Sequence, residues 1–310
     1  MKAVQINKFG GPEVLQYGDA PEPAYNTDDV LIKVYATSIN PIDWKVRSGK
    51  HGKDIKFPFI LGWDVSGVIE KIGDSVTDFQ PGDEVYARPD VTRNGTYAEY
   101  VAVRANEIAL RPRLTTHQES AALPLAGLTA WQGLFDHGKL QAGQKVLIHG
   151  ASGGVGTLAV QLAKWKGAYV IGTTSAKNID FLKELGADEV IDYEKEKFEE
   201  KLNNIDVVFD TRGGETQKKS LEVLKPNGIL VSTIGIQDPE AVKAKGIQGI
   251  QYMAQSTPAD LKQIATLVED GIVKPIIAQV LLLNEIVKAH QISEEGHVRG
   301  KLIIAVAEED

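Results

Sequence analysis

The 310-residue chain contains no cysteine. The absence of thiols excludes disulfides, thiolate-bound zinc, iron–sulfur clusters and a cysteine nucleophile, and it fits a reducing compartment. The chain also lacks an apolar run of about 18 residues, the length that crosses a membrane. Residues 1–9 alternate polar and apolar positions like a strand and do not follow the pattern of a secretory signal. We therefore expect a cytoplasmic protein with no membrane partner.

An excess of positive charge is also missing. Lysine and arginine total 34 and aspartate and glutamate total 42, so the formal net charge is −8 at pH 7. Without a dense basic stripe to offset this balance, a nucleic-acid partner is disfavoured and a small-molecule partner is expected. The six histidines show no HxH or HExxH spacing, so we interpret them as structural or surface residues and predict no bound metal.

The length and the pattern of the chain predict two domains. Up to about residue 120, short β-like runs alternate with Gly and Pro, which indicates an antiparallel, barrel-like unit. From Gln144 onward, buried strands alternate with amphipathic helices, as in a doubly wound parallel sheet. After about Asp270 this rhythm is lost, and the tail can return to the first unit. The predicted α/β fold therefore has a discontinuous β-barrel domain (1–121 and 270–310) and a parallel-sheet domain (122–269).

A glycine-rich turn is the most informative motif. A buried strand ending at Ile148 is followed by the turn 151–156 (ASGGVG) and then by an amphipathic helix. The turn matches G-x-G-x-x-G with Ala in the first position. Gly153 would let the backbone approach a pyrophosphate, Gly156 would let the helix pack close to the strand, and the helix N-terminus would present N–H groups to the anion.

The end of the next strand predicts which dinucleotide binds. A carboxylate there would accept from the free 2′-hydroxyl of NAD, whereas a 2′-phosphate needs donors and positive charge. The chain has Thr174, Ser175 and Lys177 in this place and no carboxylate before Asp180. The two hydroxyls and the ammonium favour NADPH. The alternative is that Lys177 is only a surface lysine near a helix start.

The segment 38–49 (SINPIDWKVRSG) is predicted to be a loop rich in functional groups. Asn40 precedes a proline and should be extended, and its amide can bond to a substrate carbonyl or to the nicotinamide ribose. Lys45, if partly desolvated, can polarise a carbonyl or donate a proton. The alternative is that Asp43 and Lys45 are a surface pair that holds the loop. We include Asn40, Asp43 and Lys45 as candidate catalytic residues.

Eight motifs in order make the chain resemble the zinc-independent medium-chain dehydrogenase/reductases, in the branch of quinone oxidoreductases and of alkenal and enone reductases. The motifs are SINPIDWK (38–45), PFILGWDVSG (58–67), QPGDEVY (80–86), GTYAEY (95–100), LPLAGLTA (123–130), GASGGVG (150–156), LGADEVIDY (185–193) and RGKLII (299–304). The resemblance implies a GroES-like barrel domain and a Rossmann domain, with nicotinamide and substrate meeting between them. It also implies NADPH-dependent reduction of quinones or of the C=C bond of α,β-unsaturated carbonyls.

The resemblance further implies a set of cofactor-binding residues. They are Ser152, Gly153, Gly154, Val155 and Gly156 at the pyrophosphate, Lys177 and Tyr193 at the adenosine phosphate, Asn40 and Thr129 beside the nicotinamide, Gly235 and Met253 under the nicotinamide through their backbone, and Arg299 reaching back to the cofactor. Homodimers are common among such proteins, so a homodimer is a further expectation.

Two departures from relatives refine the expected reaction. Zinc-dependent members carry a Cys and a Gly-His-Glu, where this chain has Gly62-Trp63-Asp64 and no Cys. Zinc-assisted alcohol oxidation is therefore not expected, because the Lewis acid that stabilises an alkoxide would be missing. Lys45 stands where several quinone reductases have a tyrosine, which favours enone reduction: NADPH would supply hydride to the β-carbon, and Asn40 or Lys45 would stabilise the enolate oxygen. A non-catalytic NADPH-binding or regulatory protein is the rival interpretation.

Overall fold

The structure, a computed structural model, describes residues 1–52 and 54–309. Its strands are β1 (Lys2–Ile6), β2 (Gln16–Asp19), β3 (Asp29–Ser38), β4 (Phe59–Ile60), β5 (Val65–Ile72), β6 (Glu84–Ala87), β7 (Tyr100–Arg104), β8 (Ile108–Leu110), β9 (Lys145–Ile148), β10 (Tyr169–Thr174), β11 (Glu189–Asp192), β12 (Ile205–Asp210), β13 (Leu224–Ser232), β14 (Gln248–Gln251), β15 (Ile277–Leu282) and β16 (Lys301–Ala305). Its α-helices are α1 (Pro41–Arg47), α2 (His117–Ala121), α3 (Pro124–Trp131), α4 (Gly154–Trp165), α5 (Ile179–Glu184), α6 (Phe198–Lys201), α7 (Gly214–Val223), α8 (Pro239–Ala244), α9 (Pro258–Glu269) and α10 (Ile286–Glu295).

The chain forms two compact units. The first contains Met1–Leu125, Ser256–Gly271 and Pro275–Asp310, and the second contains Ala126–Gln255 and Ile272–Lys274. The first unit is discontinuous, with a return of the C-terminal tail. The boundary differs from the predicted one at α9, which the α/β rhythm had assigned to the parallel-sheet domain. In the structure α9 belongs to the first unit, where it packs on β8 and its Leu261 carbonyl accepts a 2.5 Å hydrogen bond from Tyr86.

The first unit has two sheets, one in the order β2-β1-β4 and one in the order β15-β16-β3-β5-β6-β8, with β7 also pairing with β3. Val30, Ile32 and Val34 alternate on β3 and are fully buried among other aliphatic side chains of the larger sheet. Among the described residues up to about 120, every strand pair is antiparallel, as predicted. The β-like pattern there did not predict helices α1 and α2. In the C-terminal tail, β15 and β16 pair in parallel, and α9 and α10 complete the unit.

The predicted loop 38–49 is a further correction, because most of it is helix α1. Asn40 is extended (φ −124°, ψ 149°), as expected before a proline, and it is the N-cap residue of the helix. Pro41 occupies the first helical position, where its missing N–H costs nothing. The N–H of Asn40 donates to the Asp43 carboxylate at 2.7 Å, which fixes the first turn.

The second unit is a six-stranded sheet in the order β11-β10-β9-β12-β13-β14, and all neighbouring strands are parallel. The strand order reverses between β9 and β12, so these two strands flank the switch point at which open α/β sheets bind ligands. α4 buries the face that carries Leu158, Ala159 and Leu162, as its apolar periodicity predicts. Between β11, which ends at Asp192, and β12, only Phe198–Lys201 is α-helical.

None of the described helices is long and apolar enough to cross a membrane.

Candidate active and cofactor-binding site

The predicted cofactor residues of the second unit lie at one edge of its sheet. The glycine-rich turn follows β9, Lys177 follows β10, Tyr193 follows β11, Gly235 follows β13 and Met253 follows β14. All these strands are parallel, so their carboxyl ends meet at the same edge. The structure therefore brings together residues that are about 100 positions apart in the sequence, at the edge where dinucleotides bind in such sheets.

Gly153 and Gly156 are required for different reasons. A Cβ on Gly156 would lie 2.3 Å from the Gly150 carbonyl oxygen and 2.6 Å from the Ala151 Cα, so close packing of the helix on the turn requires this glycine. A Cβ on Gly153 would meet no atom closer than the Gly150 oxygen at 3.4 Å. Packing within the protein does not require Gly153, and an open backbone there fits the close approach of a pyrophosphate.

The N-terminus of α4 is available to an anion. Gly153 is the N-cap residue and offers no side chain to the first N–H groups of this 12-residue helix. Ser152, Gly154 and Val155 are partly exposed. The helix dipole and these N–H groups favour a phosphate at this position. The turn therefore fits the pyrophosphate of a dinucleotide.

The end of β10 presents the predicted hydroxyls and ammonium unequally. Lys177 is exposed, whereas Thr174 and Ser175 are buried. The Thr174 hydroxyl donates to the Ser152 hydroxyl at 2.9 Å, which ties the end of β10 to the glycine-rich turn. Thr174 thus positions Ser152, and it is less available to a phosphate than the sequence suggests. Asn178, the N-cap residue of α5, also donates its side-chain amide to Ser152, at 3.2 Å.

Tyr193 lies beside the same strand end. Its backbone N–H donates to the Thr174 carbonyl at 3.1 Å, and 49% of its surface is exposed. The ring is therefore held next to the end of β10 and remains accessible. No carboxylate side chain stands at residues 174–179, the segment at which the sequence predicts a 2′-phosphate.

Thr129 and the segment after β14 are joined in the second unit. The Tyr252 hydroxyl donates to the Thr129 carbonyl at 2.5 Å, and the neighbouring Met253 is 63% exposed. Gln132 bonds both backbone groups of Gln255, donating to the carbonyl at 3.0 Å and accepting from the N–H at 2.9 Å. These bonds hold the backbone around Met253 against the end of α3.

Gly235 is fixed by a second set of bonds. It has a left-handed backbone (φ +102°), which favours glycine, and its carbonyl accepts a 2.8 Å bond from Gln217. The Gln217 side chain also accepts from the N–H of Gln237. The turn after β13 is therefore rigidly attached to α7.

The turn after β12 was missed by sequence reasoning. Asp210 is fully buried, and its Oδ1 accepts from the N–H groups of Arg212 and Gly213 at 2.8 and 2.9 Å. The Thr211 hydroxyl donates to the His149 carbonyl at 3.1 Å. The turn after β12 is thus tied to His149, the residue that precedes the motif GASGGVG (150–156). The available signal was an arginine two residues after a buried strand that ends in aspartate.

In the first unit, Asn40 belongs to a buried polar cluster. Its Nδ2 donates to Asp64 at 2.7 Å, and its Oδ1 accepts from the Lys301 ammonium at 2.5 Å. Lys301 also donates to the Ile39 carbonyl at 3.0 Å and lies 3.4 Å from Asp64. Ser38 donates to the same carboxylate oxygen at 2.5 Å. We call the cluster of Ser38, Asn40, Asp64 and Lys301 the Lys301 cluster.

The Lys301 cluster changes the role expected of Asn40. Asn40 is 4% exposed, and both polar atoms of its amide already have partners. A direct contact with substrate is therefore poorly supported, and the bonds instead fix the start of α1. Sequence reasoning did not connect Lys301 to this cluster because the two partners lie 261 residues apart.

Asp43 is not a surface residue and does not pair with Lys45. It is fully buried, and its Oδ2 accepts from the Asn40 N–H and from the Tyr97 hydroxyl at 2.5 Å. Burial raises the pKa of Asp43 to about 7. A carboxyl group with no exposed surface cannot touch a substrate, so the candidate catalytic role of Asp43 is replaced by capping and packing of α1.

Lys45 keeps the properties of a candidate proton donor. It is partly exposed, and its ammonium lies 5.6 Å from the centre of the Trp44 ring. Burial, with a smaller contribution from the charge of Lys50, lowers the pKa of Lys45. Arg299 is exposed just before β16, and its contact with the cofactor remains a prediction.

Comparison with known proteins agrees with this architecture. Residues 26–113 match the family model for the alcohol dehydrogenase GroES-like domain, and residues 185–304 match the zinc-binding dehydrogenase model. The chain is 35% identical to the mouse NAD(P)H oxidoreductase RTN4IP1, mitochondrial, over 99% of this chain and 89% of the relative. It is 37% identical to the tomato 2-methylene-furan-3-one reductase, over 98% of this chain and 79% of that protein.

Solved structures give the same result. The quinone oxidoreductase from Coxiella burnetii superposes with a TM-score of 0.94 at 38% identity, covering 99% of both chains. The Escherichia coli quinone oxidoreductase complexed with NADPH superposes with a TM-score of 0.91 at 27% identity, covering 99% of this chain and 100% of that one. The two units thus define an oxidoreductase with a GroES-like domain and a Rossmann-like sheet. The chain belongs to the medium-chain dehydrogenase/reductase superfamily, in its quinone and alkenal/one oxidoreductase branch.

The name of one matching family model raises the question of zinc, and the residues 62–64 do not fit a zinc ion. Trp63 is fully buried. Asp64, a member of the Lys301 cluster, already accepts hydrogen bonds from the Ser38 hydroxyl and from the Leu125 N–H. The Lys301 ammonium beside this carboxylate would repel a second cation. Over residues 1–52 and 54–309, no three His, Cys, Asp or Glu side chains are grouped as metal ligands.

Proposed function

We propose that this chain is an NADPH-dependent oxidoreductase that reduces quinones or the C=C bond of α,β-unsaturated carbonyls. The supporting observation is the edge of the second unit's sheet, where an open glycine-rich turn is tied to a strand end that has an exposed lysine and no carboxylate. The names of two relatives support the same reaction class, a 2-methylene-furan-3-one reductase and an NADPH-dependent alkenal/one oxidoreductase.

The residues of the second unit fit NADPH. The turn of Ser152 to Gly156 would hold the pyrophosphate, and Lys177 with Tyr193 would hold the adenosine 2′-phosphate. The anchored backbone at Gly235 and Met253 would hold the nicotinamide end. When bound, NADPH supplies the hydride for the reduction.

The first unit supplies the polar groups for the substrate. Hydride addition to the β-carbon of an enone leaves negative charge on the carbonyl oxygen, and a nearby ammonium stabilises that charge. Lys45 is the candidate for this role, and its lowered pKa makes it a better proton donor near neutral pH. The Lys301 cluster fixes the start of the helix that carries Lys45.

Quinone reduction needs less side-chain chemistry than enone reduction, so Lys45 distinguishes the two. In an NADPH-oxidation assay, replacing Lys45 with Ala should lower kcat with an enone by about 10²-fold and should change quinone turnover little. Lys71→Ala, which removes an exposed lysine from β5 of the same unit, is the control. Unchanged kcat and KM with the enone would remove Lys45 from the mechanism, and NADPH binding without any turnover would support the non-catalytic alternative.

Location and assembly remain proposals. The absence of cysteine favours a reducing compartment, and we propose the cytoplasm. Some relatives carry the words mitochondrial or chloroplastic in their names. A homodimer is the proposed assembly, and size-exclusion chromatography with light scattering would test it.

A further inference from the structure

Arg212 lies at the switch point of the parallel sheet. It follows β12, and β12 is the direct neighbour of β9, whose end carries the glycine-rich turn. The strand order reverses between these two strands, and a dinucleotide crosses such a sheet at the crevice formed there. An arginine at this point is therefore placed where the cofactor crosses the sheet.

The backbone of Arg212 is held firmly. Its N–H donates to the buried Asp210 carboxylate at 2.8 Å, and the same oxygen accepts from the next N–H. The other carboxylate oxygen accepts from Gln217 at 2.8 Å and from Ser232 at 3.1 Å. Thr211 adds the bond to the His149 carbonyl. These contacts fix the turn to β9, to β13 and to α7.

The side chain of Arg212 runs alongside the glycine-rich motif. Its Cδ lies 3.4 Å, and its Cγ 3.9 Å, from the position that a Cβ on Gly150 would occupy. The guanidinium begins one bond beyond Cδ. Arg212 is exposed, and over residues 1–52 and 54–309 no carboxylate lies within ion-pair distance of it. Its five donors are thus available beside the turn that fits the pyrophosphate.

We propose that Arg212 binds the pyrophosphate of the dinucleotide. The inference rests on the proposed NADPH-dependent function and adds a cation that the glycine-rich turn itself does not contain. A guanidinium bonds phosphate oxygens in a bidentate manner, which the backbone N–H groups of α4 would complement from the turn. The pyrophosphate is common to NADPH and NADH, so Arg212 should strengthen the binding of both nucleotides equally.

The test measures binding without turnover. Isothermal titration of Arg212→Met with NADPH and with NADH should give dissociation constants about 10-fold higher for both, and their ratio should equal that of the wild type. Arg212→Lys should recover part of the loss, since it keeps the charge but not the fork of donors. Lys243→Met removes an exposed charge from α8 of the same unit and should bind like the wild type.

The possible outcomes separate this inference from the proposed function. Equal affinity of Arg212→Met and the wild type for both nucleotides would overturn the inference and leave the function standing. A loss confined to NADPH would also overturn it, because Arg212 would then contact the 2′-phosphate. Failure of the wild type to bind NADPH would overturn both. Thermal unfolding of the nucleotide-free variants checks their folding, and Arg212→Gln serves as a second variant if Arg212→Met is unstable.

Discussion

The two glycines of the phosphate-binding turn should respond to alanine in opposite ways. In Gly156→Ala the new methyl would meet backbone atoms at 2.3 and 2.6 Å, and backbone cannot yield as a side chain can. Overpacking of this kind costs about 3 kcal/mol, at the upper end of the usual range. For a domain of this size the cost corresponds to a decrease in Tm of roughly 6–12 °C.

Gly153→Ala should leave the fold nearly as stable as the wild type. The new methyl would have its nearest neighbour at 3.4 Å, and the backbone of Gly153 (φ −80°) suits alanine. Alanine is a poorer N-cap than glycine by less than about 1 kcal/mol. It also restricts the unfolded chain, which returns about 0.4–1 kcal/mol. The Tm should therefore change by only about 2 °C.

For nucleotide binding, Gly153→Ala should be the more harmful of the two substitutions. The methyl of Gly153→Ala would occupy space that the pyrophosphate needs, so the dissociation constant for NADPH should rise at least about 10-fold. Differential scanning fluorimetry without nucleotide and isothermal titration with NADPH measure the two effects. Gly18→Ala, whose new methyl would meet nothing within 4 Å, is the control. A Gly153→Ala protein that binds NADPH like the wild type, or that unfolds as early as Gly156→Ala, would refute the reasoning.

The remaining predictions concern charges. Lys301→Met should destabilise the first unit by about 3–5 kcal/mol in urea unfolding, because it leaves Asp64 buried without its ammonium, and adding Asp64→Asn should recover part of the loss; no recovery would contradict the pairing. The raised pKa of Asp43, about 7, means that the native state holds a proton that the unfolded chain releases above about pH 4, so this residue contributes less stability as pH rises towards 7. The unfolding free energy of Asp43→Asn minus that of the wild type should therefore increase by roughly 3 kcal/mol from about pH 5 to about pH 8. A difference that does not change with pH would refute the assignment. Lys177→Ala should lower the preference for NADPH over NADH by about 10-fold in titrations, with NADH affinity unchanged; an equal loss for both nucleotides would show that Lys177 does not contact the 2′-phosphate.

The parallel sheet and its glycine-rich turn could be predicted from local sequence. The signal of each is short in range, since a buried strand, a turn and an amphipathic helix follow one another within about 20 residues. The carboxyl ends of parallel strands meet at one edge, so the cofactor residues after β9 and β10 could be grouped from the sequence. The resemblance to a known family supplied the positions after β11, β13 and β14.

The first unit was harder to predict because its interactions join distant parts of the chain. Lys301 reaches Asn40 and Asp64 from the last strand, and no local pattern marks such a partner. The burial of Asp43 follows from the packing of α1, whereas the sequence shows only a charged residue near a proline. The assignment of α9 to the first unit likewise depends on contacts with β8 that its periodicity cannot reveal.

Isotope transfer tests the central claim, that NADPH reduces an activated alkene on this protein, most directly. The enzyme is incubated with a 2-alkenal or an enone and with NADPH that carries deuterium at both hydrogen positions of C4 of the nicotinamide, and the product is analysed by NMR and mass spectrometry. The account predicts a saturated carbonyl compound with deuterium on its β-carbon. An allylic alcohol with deuterium on the former carbonyl carbon, or no deuterated product from any enone or alkenal, would contradict it.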